Sequence, residues 1–182
     1  MRVISGKLKG RVLKGYHIEG TRPTMDRVKE SVFASIQNYI QDAVILDLFA
    51  GSGNLGIEAI SNGASKAYFV DNNHECIKTI RENIRMFQIE KESILIENNY
   101  KKALKYFCDC NIQFDIIFID PPYKYQIKKE LLDSISDNNL LKNNGIIIYE
   151  YQINEEVENS SFKLLKTKRY GDKYVSIYQK LN

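Results

Sequence analysis

A chain of 182 residues with 43% hydrophobic and 27% charged residues is long enough to bury one substantial core, and a formal charge of +3 is too small to make it wholly basic or acidic. No apolar run approaches the roughly 18 residues of a membrane helix, and residues 1–6 lack the apolar core of a secretory signal, so a cytoplasmic location is expected. The cysteines, Cys76, Cys108 and Cys110, are odd in number and lack ligand spacing; reduced thiols are expected, with no metal site or disulfide framework.

Charge is concentrated at the start. Residues 1–40 carry eight Lys and Arg against three acids, a net +5, so the remainder sums to −2. Arg2, Lys7, Lys9, Arg11, Lys14, Arg22 and Arg27 supply the footprint of a surface that holds a phosphate backbone; the competing reading is a solvated lysine-rich face. β-prone pieces at 2–4, 11–13 and 16–18 alternate with Gly6, Gly10, Gly15 and Gly20, which predicts a β-hairpin with mobile tips. Thr21-Arg22-Pro23-Thr24 should hold Arg22 extended ahead of proline, with Thr24 capping a helix whose first turn contains Asp26. Met25, Val28, Val32, Ile36, Tyr39 and Ile40 give that helix one buried face.

A central strand at 43–49 runs into Ala50-Gly51-Ser52-Gly53-Asn54-Leu55-Gly56, a Gly-x-Gly-x-x-Gly turn opening a helix. Such glycines allow a tight turn and close approach to a ligand, and nicotinamide, flavin and other nucleoside cofactors all use them. The second strand, 64–70, ends at Asp71, 20 residues beyond Gly51, where a carboxylate can accept both ribose hydroxyls. Asn72 is placed to cap the next helix, with Glu75 three residues on and Ile77, Ile80, Ile84 and Phe87 as its stripe. His74 on that helix and His17 in a loop have no evident acid partner, so neither is assigned catalysis. A third strand at 93–97 leads to Asn98-Asn99-Tyr100 and a helix ending near Cys108. Asn99 and Tyr100 can touch a cofactor's base; a plain helix cap is the other reading.

The fourth strand carries the chemistry. Phe114-Asp115-Ile116-Ile117-Phe118-Ile119 is apolar enough for the interior of a parallel sheet, and Asp120-Pro121-Pro122-Tyr123 must end it, because neither proline can continue a ladder. Asp120 offers carboxylate oxygens, Pro121 a carbonyl and Tyr123 a ring, a set that suits a planar heterocycle bearing an amino group; a simple strand-ending turn is the alternative. A helix within 124–139 buries Ile127, Leu131, Leu132 and Ile135; Asn143-Asn144-Gly145 turns into a fifth strand, 146–151. The chain closes on an antiparallel hairpin, 162–170 and 173–180, around Gly171-Asp172.

Alternating strands and helices followed by a hairpin predict an α/β fold with a mostly parallel, Rossmann-like sheet. The glycine turn, Asp71, Asn99 and residues 120–123 then share the carboxyl edge, where such sheets bind ligands.

Asp47-Leu48-Phe49-Ala50-Gly51-Ser52-Gly53 together with Asp120-Pro121-Pro122-Tyr123 resembles the S-adenosylmethionine-dependent amino-methyltransferases. Met1-Arg2-Val3-Ile4-Ser5-Gly6, the segment from Thr21 to Phe33 and Lys168-Arg169-Tyr170-Gly171-Asp172 resemble the bacterial 16S ribosomal RNA guanine-N2 methyltransferases of the RsmD family. The resemblance implies a seven-stranded methyltransferase fold and methylation of a guanine in 16S rRNA or the small ribosomal subunit. A basic N-terminal β-hairpin extension at 1–23, a methyltransferase domain at 24–182 and a monomeric protein are expected. The resemblance also implies that Asp47 and the loop Phe49, Ala50, Gly51, Ser52, Gly53, Asn54, Leu55, Gly56 hold the cofactor's methionine end. Asp71 takes the ribose and Asn99 the adenine amino group, with Asn72 and Tyr100 beside them. The family more usually has aspartate where Asn99 stands, and the amide oxygen can still accept. A nicotinamide dehydrogenase, a non-catalytic RNA-binding protein and an adenine-N6 methyltransferase are the rival readings.

Overall fold

The computed structural model describes residues 1–15, 22–122, 127–152 and 159–181, with backbone alone at 22–25. Seven strands form one sheet in the order β3-β2-β1-β4-β5-β7-β6. They are β1 (Val44–Asp47), β2 (Lys66–Asp71), β3 (Ser93–Glu97), β4 (Phe114–Ile119), β5 (Leu141–Tyr151), β6 (Phe162–Tyr170) and β7 (Lys173–Lys180). The first five are mutually parallel; β7 lies antiparallel between β5 and β6. This is the expected α/β methyltransferase sheet with its terminal hairpin.

Among the described residues five α-helices cover it: α1 (Arg22–Ile40), α2 (Asn54–Ser61), α3 (His74–Phe87), α4 (Tyr100–Asp109) and α5 (Lys128–Asp137). Apolar stripes of α1, α2 and α3 pack on one face with Ile45, Phe69, Phe118 and Ile148; those of α4 and α5 pack on the other with Leu46, Ile117, Ile119 and Ile147. Successive side chains of one strand enter opposite cores, which is why β4 reads as continuously apolar from Ile116 to Ile119. None of the helices is long and apolar enough, among the described residues, to cross a membrane.

Several local expectations change. Among the described residues, the N-terminal segment has hairpin pairing through a single bridge, Arg2 with Val12, and a 3-10 turn at Gly6–Leu8. Val3 N donates to Arg11 O at 2.9 Å and Gly10 N to Val3 O at 2.8 Å, while Val3, Leu8 and Leu13 are buried in the first core. Burial, rather than a strand ladder, holds it in place; the piece expected at 16–18, and His17, lie outside the described residues. α1 begins at Arg22, not after Thr24. Pro23 fits the first turn because its missing N–H has no helical partner there, and that outweighs the bias of the preceding residue toward extended backbone. β5 begins at Leu141 and absorbs the expected turn as an irregularity opposite 114–116, with Asn144 at φ 61°. A Cβ on Gly145 would stand 2.8 Å from Lys142 O, so the irregularity needs glycine.

Candidate active site

Asp47 ends β1 beneath the glycine turn. Gly53 N donates to Ala50 O at 2.7 Å, and Gly53 sits at φ 77° as the residue before α2, a left-handed conformation that glycine adopts without cost. At Gly56 the demand is steric: a Cβ would lie 2.3 Å from the Phe69 ring. Gly56 N donates to Asp47 Oδ2 at 3.0 Å, tying strand end to helix start. Gly51, at φ 55°, has nothing within 4 Å of where its Cβ would be, so the turn faces open space.

Asp71 closes the turn from the neighbouring strand. Its Oδ2 accepts from Gly51 N and its Oδ1 from Asn73 N, both at 2.9 Å. Each oxygen keeps capacity for a further donor. The second bond delays α3 by a residue, so Asn73, not Asn72, is the cap, accepting from Glu75 N at 2.9 Å. Asn72 is left exposed beside Asp71. Asn99 Oδ1 accepts from Lys102 N at 3.0 Å as the cap of α4, which occupies that oxygen in part. The Phe49 and Tyr100 rings meet at 5.5 Å, joining the loops after β1 and β3. Tyr100 OH donates to Glu130 Oε1 at 3.1 Å, and its own acidity is lowered by burial and then by that carboxylate.

The loop after β4 lies between these features and β5. Ile119 pairs with Tyr149, which sets Asp120 level with Glu150. Asp120 is half-buried, Pro121 buried and Pro122 exposed, whereas Tyr123 lies outside the described residues. Asp120 is held well above the carboxylate range, first by burial and then by the charge of Glu150; Lys173, which donates to Glu150 Oε1 at 2.6 Å, opposes this, and Asp47 adds to it. Burial likewise raises Asp47 to about 7, against the Gly56 hydrogen bond.

The family model described as "Conserved hypothetical protein 95" matches residues 1–179. The Bacillus subtilis protein YlbH is 41% identical to the chain over 99% of both. Ribosomal RNA small subunit methyltransferase D of Haemophilus influenzae is 32% identical, over 98% of this chain and 93% of its own. The solved Escherichia coli protein yhhF superposes with a TM-score of 0.86, at 26% identity, over 99% of this chain and 97% of that one. The chain belongs to the RsmD family, whose cofactor is S-adenosylmethionine. The residues present suit it: an open glycine turn, an acid at the end of each of the first two strands, and the paired Phe49 and Tyr100 rings between the loops that follow β1 and β3.

The cations proposed for RNA do not all lie near this RsmD-type pocket. The N-terminal segment runs along α2, from the Asn54 end, where Arg2 O is held, to Ser61, whose Oγ accepts from Leu8 N at 2.9 Å. Arg2 and Lys14 therefore flank the glycine turn, whereas Lys7 and Lys9 sit by the far end of α2, about 12 Å away for eight residues of helix. Lys7 approaches Glu92 at 3.4 Å, Lys14 pairs with Glu82 at 3.0 Å, and Arg11 lies over the Phe87 ring. Arg27 is exposed near the start of α1; the side chain of Arg22 lies outside the described residues. His74, exposed as expected, does have an acid beside it, Glu97 at 3.1 Å.

A buried polar cluster was not anticipated. Lys29 Nζ bonds Glu58 Oε2 at 2.9 Å, Asn54 Oδ1 at 2.7 Å and Arg2 O at 2.7 Å, while Glu58 accepts from the backbones of Ile4 and Ser5. Asn83 accepts from Lys14 N and donates to Lys14 O and Ser52 O. Both fasten the basic segment to the glycine turn. The available signal was a charge out of place: Lys29 interrupts the apolar stripe of α1, and Glu58 sits between Ile57 and Ala59.

Proposed function

We propose that the protein transfers a methyl group from S-adenosylmethionine to the exocyclic N2 of a guanine in 16S ribosomal RNA. The observation that carries this is the position of Asp120 and the Pro121 carbonyl, at the end of β4 beside the glycine turn of β1. S-adenosylmethionine supplies a methyl group already activated on a sulfonium. The protein's work is then positional. Asp47 and the loop from Phe49 to Gly56 take the methionine end, Asp71 takes the ribose hydroxyls, and Asn72, Asn99 and Tyr100 border the adenine. Asp120 and the Pro121 carbonyl accept from the guanine amine and direct its lone pair at the methyl, and Tyr123 supplies a ring for stacking. A guanine within a stack cannot reach this loop, so the target base is looped or flipped out. Arg2, Lys14 and Arg27 hold adjacent phosphates, with Lys7, Lys9 and Arg11 further along, and Arg22 is assigned to the same RNA contact. A monomer acting in the cytoplasm on the small subunit fits this reading.

The test is Asp120→Ala, assayed on small subunits from a strain lacking the activity. Methyl transfer should disappear while S-adenosylmethionine still binds in a calorimetric titration. Retained methylation would remove the role given to Asp120.

A further inference from the structure

The edge strand β6 carries Lys163, Lys166, Lys168 and Arg169 and no acidic residue. Lys168 Nζ and Tyr170 OH reach across to Ser31 Oγ of α1, at 2.9 and 2.7 Å. Ser31, Ser35, Lys166, Lys168 and Tyr170 thereby wall a groove over Val175. Arg27, one helical turn before Ser31, extends its cationic side toward the start of α1. Lys7 and Lys14 pair with acids, but none of Arg27, Lys166 and Lys168 has a carboxylate partner among the described residues.

Register places the groove. Glu150 pairs with Val175 and Val175 with Lys168, so Lys168 shares a rank with Asp120 across β5 and β7. Strand spacing puts Lys168 about 14 Å from the acceptor loop. That is about four nucleotides at the 3.4 Å rise of a stacked strand. The groove and the N-terminal segment flank α1 on the same face of the sheet.

We propose that the groove between α1 and β6 is a second phosphate-binding track for the RNA substrate, gripping the strand on the opposite side of the pocket from the N-terminal segment. The proposal rests on the RNA-methylation reading above. Ammonium groups uncommitted to carboxylates, interleaved with serine and tyrosine hydroxyls, match a phosphodiester backbone. Edge lysines can also serve only to block sheet-to-sheet pairing, which predicts no effect on RNA.

Small subunits from a strain lacking the activity are methylated, at increasing salt, by the wild type, Lys166→Glu, Lys166→Ala/Lys168→Ala and Lys166→Arg/Lys168→Arg. The alanine pair should raise KM for subunits about tenfold, leave kcat within about twofold, and make the slope of log affinity against log salt shallower by about 1.5. Lys166→Glu, at a side chain with no hydrogen bond or ion pair among the described residues, should raise KM in the same direction, and the arginine pair should keep the wild-type slope. Unchanged KM and slope in the alanine and glutamate variants, with active wild type, would overturn the groove alone. A wild type that binds S-adenosylmethionine but methylates no RNA would bring down the underlying reading with it.

Discussion

In the proposed reaction Asp120 accepts a hydrogen bond from the target amine, yet its surroundings favour the protonated acid, which accepts less well. Transfer should therefore rise with pH as the carboxylate ionises. The charge of Glu150 contributes to the shift, so Glu150→Gln should move the rising limb of the pH–rate profile to lower pH, with Lys173 then acting on Asp120 unopposed. An unmoved limb, or one displaced upward, would detach Asp120 from that limb. Asp47 makes a separate prediction about stability. Its pKa is about 7 in the folded chain against an ordinary 3.8, so the folded state holds a proton that the unfolded state releases. Stability of the cofactor-free protein should thus fall as pH rises through that window, and Asp47→Asn should flatten the fall, as read from denaturant unfolding at several pH values. An equally steep fall in the variant would contradict the raised pKa.

Among the elements, the clearest sequence signals were those set by periodicity and turn chemistry. β3, β4 and the β6–β7 hairpin lie where apolar runs and Gly171-Asp172 place them. Boundaries shifted where a local contact or backbone irregularity intervened: the Asp71 bond to Asn73 N delayed α3, and the β5 irregularity at Gly145 lengthened that strand. The Lys29–Glu58 pair was hidden because it joins positions 29 apart in sequence that become neighbours only after folding. Lys29→Met should cost about 3–5 kcal/mol, since it leaves a buried carboxylate without its cation. Adding Glu58→Gln should not restore full stability, because Ile4 N and Ser5 N also depend on that carboxylate. Full recovery in the double variant would show that only the ion pair matters. Gly56→Ala should cost about 1–3 kcal/mol through the Phe69 ring, and a melting temperature equal to wild type would mean that the ring moves aside freely.

For the whole molecule, the parallel order of β1 to β4 gathers the glycine turn, Asp71, Asn99 and Asp120 on one edge, which is why motifs far apart in the chain could be read as one site. The loop itself selects a planar base with an amino group. Guanine and the ribosome enter through membership of the RsmD family, so the substrate must be tested directly. That measurement is incorporation of labelled methyl from S-adenosylmethionine into small subunits of a strain lacking the activity, followed by mass mapping of 16S rRNA nucleosides. N2-methylguanosine is expected at one position. Methyl groups on adenine, or none on the RNA, would contradict it.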